Sequence, residues 1–432
     1  MSGRLNSFQK TMLQWNDLYP YNAVHVLRIH ESLEFEKLCG AVNTTLEAQG
    51  LTGLSLNRSR GTYRYEAGPA RCEIKLINDA NPHSALASEV ERQLNSAFPY
   101  IESFDPFRFF AVPYENSFSL GISYFHPVAD ALSIVRLMRD IFARYGGQGA
   151  ECRETFDLYP GRCDGLLRHP VLLVRKLASL RSYVRNMNTS CRAPYRDIND
   201  SHVRYTPLCL GPEKLHSLMK TAKSWDLTVN DLLLALMMKC FSPLCLNRTQ
   251  QKRRKISLGC IVNTRNDLRP GNQHKFGLFL GSFVVSHEVP EEISLMDLAR
   301  DIRRQTLAVK NGRLYLATPL ELAFGRFMFS LYSTERRKKF YQKHYPLWGG
   351  IANINLNSLW EQQPGERPID YFRAVSTGPT TPFVLSFTSV REAMNISLTW
   401  RSTVFSPPQI EELKTRFLDT LNRIACQCIK PS

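Results

Sequence analysis

The chain has 432 residues, of which 43% are hydrophobic and 22% charged, and this composition is typical of a globular protein and argues against intrinsic disorder. No apolar run approaches the roughly 20 residues that span a bilayer, and the N-terminal MSGRLNSFQK lacks the apolar core of a signal peptide, so we expect a cytoplasmic protein. The net charge of +16 indicates an anionic partner without identifying it.

Strand and helix patterns alternate in the first part of the chain. The run AVHVLRIH over 23–30 predicts a strand, and the segment 33–49 predicts a helix. The apolar face of that helix is formed by Phe35, Leu38, Val42 and Leu46. The runs RFFAVPY over 108–114 and SFSLGISYF over 117–125 then predict two strands joined by a Glu-Asn turn.

A histidine follows the second of these strands. From Ala131 onward apolar residues recur every three or four positions, which predicts a buried helix face. Its members are Leu132, Val135, Met138, Ile141 and Phe142. The intervening HPVAD is therefore a strand-to-helix connection, in which Pro127 fixes the turn and Asp130 stands where a helix start favours a carboxylate. This connection places His126 directly at the strand end.

The second half of the chain repeats this style. The sequence Thr-Val-Asn-Asp over 228–231 predicts the start of the apolar helix LLLALMMKCF. Further strands are predicted by ISLGCIV over 256–262, FGLFLGSFVV over 276–285 and MNISLTW over 394–400. The whole pattern predicts an α/β protein.

One segment between the two halves is strongly basic. Residues 165–196 contain seven Arg or Lys and no acidic residue. An apolar stripe with helical spacing runs through it: Leu173, Leu177, Leu180 and Val184. Such a helix can lie on an anionic membrane surface, or it can bury its stripe as a crossover between two lobes. Its place near the middle of the chain favours the crossover.

The HxxxD spacing of His126 and Asp130 is a weak signal by itself, and a lone buried histidine is as often structural as catalytic. It occurs once in the chain, at an apolar strand end, where a side chain can face a cleft on a rigid backbone. Nucleophilic serine, phosphate-loop, dinucleotide and zinc mechanisms lack their usual motifs. Eleven cysteines without a CxxC pair favour reduced thiols, and we expect no metal site.

A resemblance to a known family extends the interpretation. SYFHPVADALSIVRLMRDI resembles the HHxxxDG segment of nonribosomal-peptide condensation domains and the HxxxD segment of the chloramphenicol acetyltransferase-like acyltransferases. Other stretches agree in order: YNAVHVLRI, LTVNDLLLALM, GCIVNTRNDLRP, FGLFLGSFVV, GGIANINLNSLW and MNISLTWRSTVFSPPQIEELKTRFLDTL. Phe125 replaces the first histidine and Ala131 the glycine of HHxxxDG, and the DFGWG-like segment of the plant branch is absent.

The resemblance implies a fold of two chloramphenicol acetyltransferase-like lobes, each a mixed sheet with helices, which form a central tunnel around His126. We therefore expect an N-terminal lobe over 1–165 that carries HxxxD, a basic amphipathic crossover over 166–197, and a C-terminal lobe over 198–432.

The resemblance also implies a reaction. An acyl group other than an amino-acyl group moves from a thioester to a hydroxyl or amine, with His126 as the general base and without a covalent intermediate. Asp130 is expected to pair with Arg265 and hold the loop rather than to contact the imidazole. Asn353 in IANIN is a candidate substrate-binding residue, although a structural place at a strand end is as reasonable.

The expected partners follow from this reaction. The co-substrate is acyl-CoA or a phosphopantetheinyl acyl carrier protein; both are anionic, and an acidic carrier protein would act in trans because no carrier segment follows residue 432. No permanently bound cofactor and no nucleic acid is expected. The acceptor is a small molecule or a lipid, and for a lipid the basic helix would give peripheral membrane contact. The alternative is a non-catalytic condensation-like domain that binds a carrier protein or partner enzyme; the intact His126 and Asp130 favour transfer.

Overall fold

The structure is a computed structural model that describes residues 2–66, 68–100, 102–147, 170–245, 252–267, 275–357 and 368–427. The strands are β1 Ser2–Arg4, β2 Asn22–Ile29, β3 Leu54–Asn57, β4 Thr62–Tyr65, β5 Ile74–Leu76, β6 Phe107–Tyr114, β7 Ser117–Phe125, β8 Val203–Leu210, β9 Ile256–Asn263, β10 Leu280–His287, β11 Gly349–Asn355, β12 Asp370–Val375, β13 Phe383–Val390 and β14 Ala393–Arg401. The helices are α1 Ser7–Asn16, α2 Phe35–Ala48, α3 Pro82–Asn95, α4 Ala131–Tyr145, α5 Pro170–Thr189, α6 Pro212–Ser224, α7 Val229–Phe241, α8 Leu295–Asn311, α9 Thr318–Ser330, α10 Thr334–His344 and α11 Pro407–Gln427.

The chain divides into two compact units. The first unit contains Met1–Asp164, Asn263–Leu280 and Leu356–Ser376, and the second contains the remaining segments, Gly165–Val262, Gly281–Asn355 and Thr377–Ser432. The division differs from the expected lobes in two respects. Two late segments return to the first unit, and the segment expected to be a separate crossover over 166–197 belongs to the second.

The first unit is built on a five-stranded sheet in the order β12-β2-β7-β6-β5. Its strands run antiparallel except for β5, which is parallel to β6. The predicted strands over 23–30, 108–114 and 117–125 are confirmed as β2, β6 and β7, and every residue of the central strand β7 is buried. The predicted helices are confirmed as α2 and α4, which pack against each other. A smaller sheet has the order β1-β4-β3.

A glycine on β7 leaves room for a large aromatic ring on the neighbouring strand β6. Gly121 on β7 lies opposite Phe110 on β6, and a Cβ at Gly121 would lie 2.0 Å from the ring of Phe110. No side chain fits at that distance. The ring of Phe110 therefore occupies the place of the missing side chain, which keeps β7 close-packed up to its end.

The second unit is built on a six-stranded sheet in the order β10-β9-β11-β13-β14-β8. The helix predicted after residues 228–231 is confirmed as α7, and Thr228 and Asp231 form its capping box. Leu232 to Met238 are completely buried, because α7 packs against both α8 and α11 in the core of this unit. The strands predicted over 256–262 and 394–400 are confirmed as β9 and β14.

The strand predicted over 276–285 begins later than expected. In the structure β10 starts at Leu280, and residues 276–279 form an irregular segment before it. Phe276, Leu278 and Phe279 are nevertheless buried, at 1%, 2% and 1% exposure. Their apolar character thus reflects burial of a loop rather than membership of a strand, and the backbone of this loop bonds to Asp130, as described below.

The basic amphipathic helix is confirmed as α5, but the expectation that its apolar stripe is buried is wrong. The stripe residues are exposed: Leu173 38%, Leu177 60%, Leu180 44% and Val184 48%. The helix instead contacts its unit through another face, on which Leu172 and Met187 are buried. Leu172 packs on Ala317 in the short turn that precedes α9. A spacing of four, three and four residues identifies a helix face but does not specify what covers it.

No single helix among the described residues has both the length and the apolar character needed to cross a bilayer, and α6 with α7 meets that criterion only as a pair bent by 102°.

Candidate active site

The HPVAD connection is a short, fully buried turn at the end of β7. His126–Val128 form one turn of 3₁₀ helix, and Ala129 then returns to an extended conformation before α4 begins. The amide of Phe125 donates a hydrogen bond to the Pro106 carbonyl at 2.9 Å. The side-chain amide of Gln9 on α1 donates to the Pro127 carbonyl, also at 2.9 Å. Because buried backbone groups on both sides of His126 are bonded, its position is closely fixed.

The imidazole of His126 has a defined orientation and tautomer. Its Nδ1 lies 3.2 Å from the Ala129 carbonyl oxygen. A carbonyl can only accept a hydrogen bond, so Nδ1 carries the proton and Nε2 keeps its lone pair. The ring of Tyr21 stacks on the imidazole at 5.2 Å between centroids, and Tyr124 meets it edge-on at 5.6 Å. Nε2 is thus the atom of this histidine that can accept a proton.

Burial keeps this histidine uncharged. His126 is 7% exposed, and desolvation lowers its pKa below 6.5. The Ala129 carbonyl and the charge of Asp130 oppose this shift, whereas the positive charge of Arg373 adds to it. The net lowering of the pKa leaves the imidazole neutral at neutral pH, which is the protonation state that a general base requires.

Asp130 has a different set of contacts from His126. Its carboxylate forms a bidentate ion pair with Arg265, with Nη1 at 2.5 Å from Oδ2 and Nη2 at 2.9 Å from Oδ1. The amides of Ser133 and Phe279 donate to the two oxygens at 3.0 Å and 2.9 Å. Asp130 also caps α4 through the Ser133 amide. The carboxylate of Asp130 thus accepts four hydrogen bonds, two from Arg265 and two from backbone amides.

The irregular segment before β10 completes the support of this connection. The Gly277 carbonyl accepts the Asp130 amide at 2.9 Å and the Ser133 hydroxyl at 3.0 Å. Gly277 has φ of 143°, a conformation that favours glycine. The guanidinium of Arg265 lies 4.3 Å from the centre of the Phe279 ring. Arg265 itself is 2% exposed, so the ion pair is shielded from water.

Three buried polar residues on the neighbouring strands β2 and β12 were not predicted as site residues from the sequence. His25 on β2 lies opposite Arg373 on β12, and its Nδ1 is 2.7 Å from the hydroxyl of Tyr371. Burial lowers the pKa of His25 well below 6.5, and the charges of Arg373 and His126 lower it further. Burial also lowers the pKa of Arg373, to about 10, so this guanidinium remains charged at neutral pH. A histidine and an arginine within apolar strand patterns were the signals available in the sequence.

The predicted site residues fall in different parts of the chain. The structure brings together His126, Asp130 and Arg265 within the first unit. Asn353 lies on β11 in the second unit, and its side chain is exposed. Its contact with a substrate and the central tunnel both stay predictions. Within the described ranges, no group of three or more His, Cys, Asp or Glu residues has the arrangement of a metal site.

Comparison with solved structures identifies the fold. The condensation domain of the monacolin K polyketide synthase MokA has a TM-score of 0.71 at 11% identity, over 99% of this chain and 98% of that one. The cyclization-docking bidomain of the synthetase EpoB from Sorangium cellulosum has a TM-score of 0.72 at 13% identity, over 100% and 86% of the two chains. The epimerization domain from the third module of tyrocidine synthetase B has a TM-score of 0.67 at 13% identity, over 99% and 97%.

The chain therefore has the condensation-domain fold, with two chloramphenicol acetyltransferase-like lobes of mixed α/β structure. No protein-family model matches the sequence, and no curated protein is similar enough in sequence to count as a relative.

Proposed function

We propose that this protein is an HxxxD-type acyltransferase that moves an acyl group from a thioester to a hydroxyl or amine. The observation that carries the proposal is the state of His126: buried, neutral, protonated on Nδ1 and with Nε2 as the remaining proton acceptor. Such an imidazole is suited to general-base catalysis, which contributes about 10²–10⁴-fold to a rate.

The proposed reaction follows from the two ring nitrogens of His126. The acceptor oxygen or nitrogen attacks the thioester carbonyl carbon while its proton passes to Nε2. A bond from the acceptor to the acyl carbon forms, and the carbonyl π electrons move to oxygen. When this intermediate collapses, the carbon–sulfur bond breaks and the thiolate takes the proton back from Nε2. The Ala129 carbonyl, 3.2 Å from Nδ1, stabilises the transient imidazolium.

Asp130 and Arg265 position the base in this scheme without contacting the substrate. Their ion pair, together with the hydrogen bond from the Asp130 amide to the Gly277 carbonyl, fixes the start of α4, which directly follows the turn carrying His126. The charge of Arg373 opposes protonation of His126. It thereby favours return of the proton to the leaving thiolate.

The proposed donor is an acyl-CoA or an acyl group on the phosphopantetheine of a carrier protein acting in trans. Both donors are anionic, and the chain has a net charge of +16. The similar structures from polyketide and nonribosomal-peptide synthases support the carrier protein as a donor to test.

The test is release of free thiol from a series of acyl-CoA thioesters and from acyl carrier protein, with alcohol and amine acceptors. We expect acceptor-dependent release by the wild type and a loss of about 10²-fold or more in His126→Ala. His30→Ala is the matched control, because His30 is exposed on the turn after β2. Equal acceptor-dependent rates in wild type and His126→Ala would show that His126 is not the base.

A second candidate function is binding without catalysis, as a condensation-like domain that holds a carrier protein or partner enzyme. Phe125 favours it, because the position of the first motif histidine is taken by a completely buried ring. This ring packs against Phe98, Tyr100 and Phe104. Retention of an acyl carrier protein without thiol release under any acceptor would favour this candidate over transfer.

A further inference from the structure

The exposed surface of α5 consists mainly of apolar and basic side chains. The stripe Leu173, Leu177, Leu180 and Val184 is exposed, and so are Val171 and Val174 elsewhere on the helix, at 59% and 66%. The exposed charged residues of the helix are Arg175, Arg181 and Arg185, and the helix contains no acidic residue. Within α5, all of which the structure describes, Ser182 and Asn188 are the only exposed uncharged polar residues.

A second exposed stripe with the same four, three, four spacing runs along α9. Its members are Leu320, Phe324, Phe327 and Leu331, at 40%, 64%, 60% and 64% exposure. The opposite face of α9 is buried through Thr318, Gly325 and Phe329. The stripe therefore consists of the side chains that point away from the body of the second unit, and large aromatic rings in such a position signal an interaction surface.

The two helices are neighbours within the second unit. Leu172 on α5 packs on Ala317, the residue before α9 begins. Lys176 on α5 forms an ion pair with Glu321 on α9. This pair neutralises the one acidic residue of α9. The stripes of α5 and α9 are thus held by adjacent helices, and we refer to them together as the α5/α9 surface.

Positive charge is concentrated in the chain segments that carry this surface. Segments 170–189 and 318–344 contain ten basic and two acidic residues, which is half of the net charge of the chain. Arg336 and Lys339 on α10, which follows α9, are exposed. Arg and Lys side chains can extend alongside apolar neighbours and place their charges at a polar boundary. An apolar strip bordered by such residues matches the boundary between acyl chains and anionic headgroups.

We propose that the α5/α9 surface binds the protein peripherally to an anionic membrane. The composition of α5 favours a lipid surface over a protein partner. Its exposed face offers aliphatic side chains and arginines but few neutral hydrogen-bonding groups. Protein interfaces, in contrast, carry about one hydrogen bond per 100–200 Å². Helix α5, with 20 residues, is about 30 Å long and can lie flat in the interface. This proposal does not rest on the proposed acyl transfer.

The test is flotation of the full-length protein with vesicles of phosphatidylcholine, with and without phosphatidylglycerol. We expect binding to the anionic vesicles that weakens with added salt. Two double variants remove apolar side chains from the stripes: Leu177→Ser with Leu180→Ser on α5, and Phe324→Ser with Phe327→Ser on α9. Each double variant should weaken binding by about tenfold or more for every side chain that the bilayer buries. Arg181→Glu with Arg185→Glu should weaken it by at least about fivefold per residue on anionic vesicles only.

Matched controls replace exposed apolar and basic residues that lie outside the α5/α9 surface. Met219→Ser with Ile261→Ser removes two apolar side chains that are 55% and 43% exposed, and Lys214→Glu with Lys220→Glu reverses two exposed charges on α6. Both controls should bind as the wild type does. No flotation of the wild type, or equal flotation of the stripe variants, would overturn the proposal. Capture by immobilised acyl carrier protein without vesicle binding, lost in the same variants, would overturn it in favour of protein docking.

Discussion

Replacing Asp130 by alanine should destabilise the protein more than any single surface change, because it leaves the Arg265 guanidinium buried without its counter-charge. Both side chains of the pair are 2% exposed. Breaking a buried ion pair of this kind costs about 3–5 kcal/mol in free energy of unfolding. Loss of the hydrogen bond to the Ser133 amide removes the cap of α4 and adds about 1 kcal/mol.

A double-mutant cycle separates the ion pair from other effects. Asp130→Ala and Arg265→Met each leave one buried charge, whereas the double variant leaves none. We therefore expect the double variant to be less destabilised than the sum of the single variants, by about 1–3 kcal/mol. Urea unfolding followed by circular dichroism gives the four free energies. Additive losses within error would refute the coupling and with it the role of Arg265.

The control cycle uses an exposed pair. Arg416 and Glu412 on α11 form an ion pair whose side chains are 45% and 53% exposed. Water and salt screen such a pair, so its coupling should fall within the error of the same measurement. A similar coupling at both pairs would contradict the argument from burial.

Three further predictions concern stability. Gly121→Ala should destabilise the protein by about 1–3 kcal/mol in thermal unfolding, because its Cβ would lie 2.0 Å from Phe110; Phe110→Leu in the same chain should recover part of the loss. Below pH 6.5 His25 binds a proton in the unfolded chain but stays neutral where it is buried in the folded protein. The free energy of unfolding should therefore decrease as the pH is lowered, by about 1.4 kcal/mol per pH unit more in the wild type than in His25→Gln. Urea unfolding at pH values above and below 6.5 measures this difference. The matched control for this substitution is His30→Gln, because His30 is exposed on the turn after β2. Thr228→Ala should cost about 1 kcal/mol through loss of the α7 cap, whereas Thr228→Ser should cost less.

Most strands and helices could be predicted from the sequence because their burial produces regular patterns. Strand β7 is buried along its whole length, and its sequence SFSLGISYF alternates serine or glycine with larger residues between two turns. Helix α7 has a capping box before a continuous apolar segment. In both, local pattern and tertiary burial indicate the same structure, so the sequence alone is sufficient.

The segment 276–279 shows why an apolar run can mislead. Phe276 and Phe279 are buried, as strand residues would be, yet the Phe279 amide bonds to the Asp130 carboxylate instead of to a neighbouring strand. The conformation at Gly277 turns the backbone before β10 begins. The hydrogen-bond partner is more than a hundred residues away in the sequence, and hydrophobicity carries no information about it.

Helix α5 shows the opposite case. The apolar spacing predicts the helix correctly, but the buried face is the one that carries Leu172 and Met187. The buried face depends on residues far away in the sequence, among them Ala317, on which Leu172 packs. The unusual combination of an uncovered apolar stripe with three exposed arginines is what makes the helix a candidate interaction surface.

The electrostatic setting of His126 depends on long-range strand pairing in the same way. The motif residues Asp130 and His126 are close in sequence, but Arg373, which lowers the pKa of His126, comes from the last strand of the first unit. It reaches the site because β12 pairs with β2, which pairs with β7. Burial is the largest cause of the lowered pKa of His126, and the additional contribution of Arg373 depends on the register of three strands. Any change that shifts β12 by one residue would move Arg373 to the other face of the sheet and remove its contribution to the lowered pKa of His126.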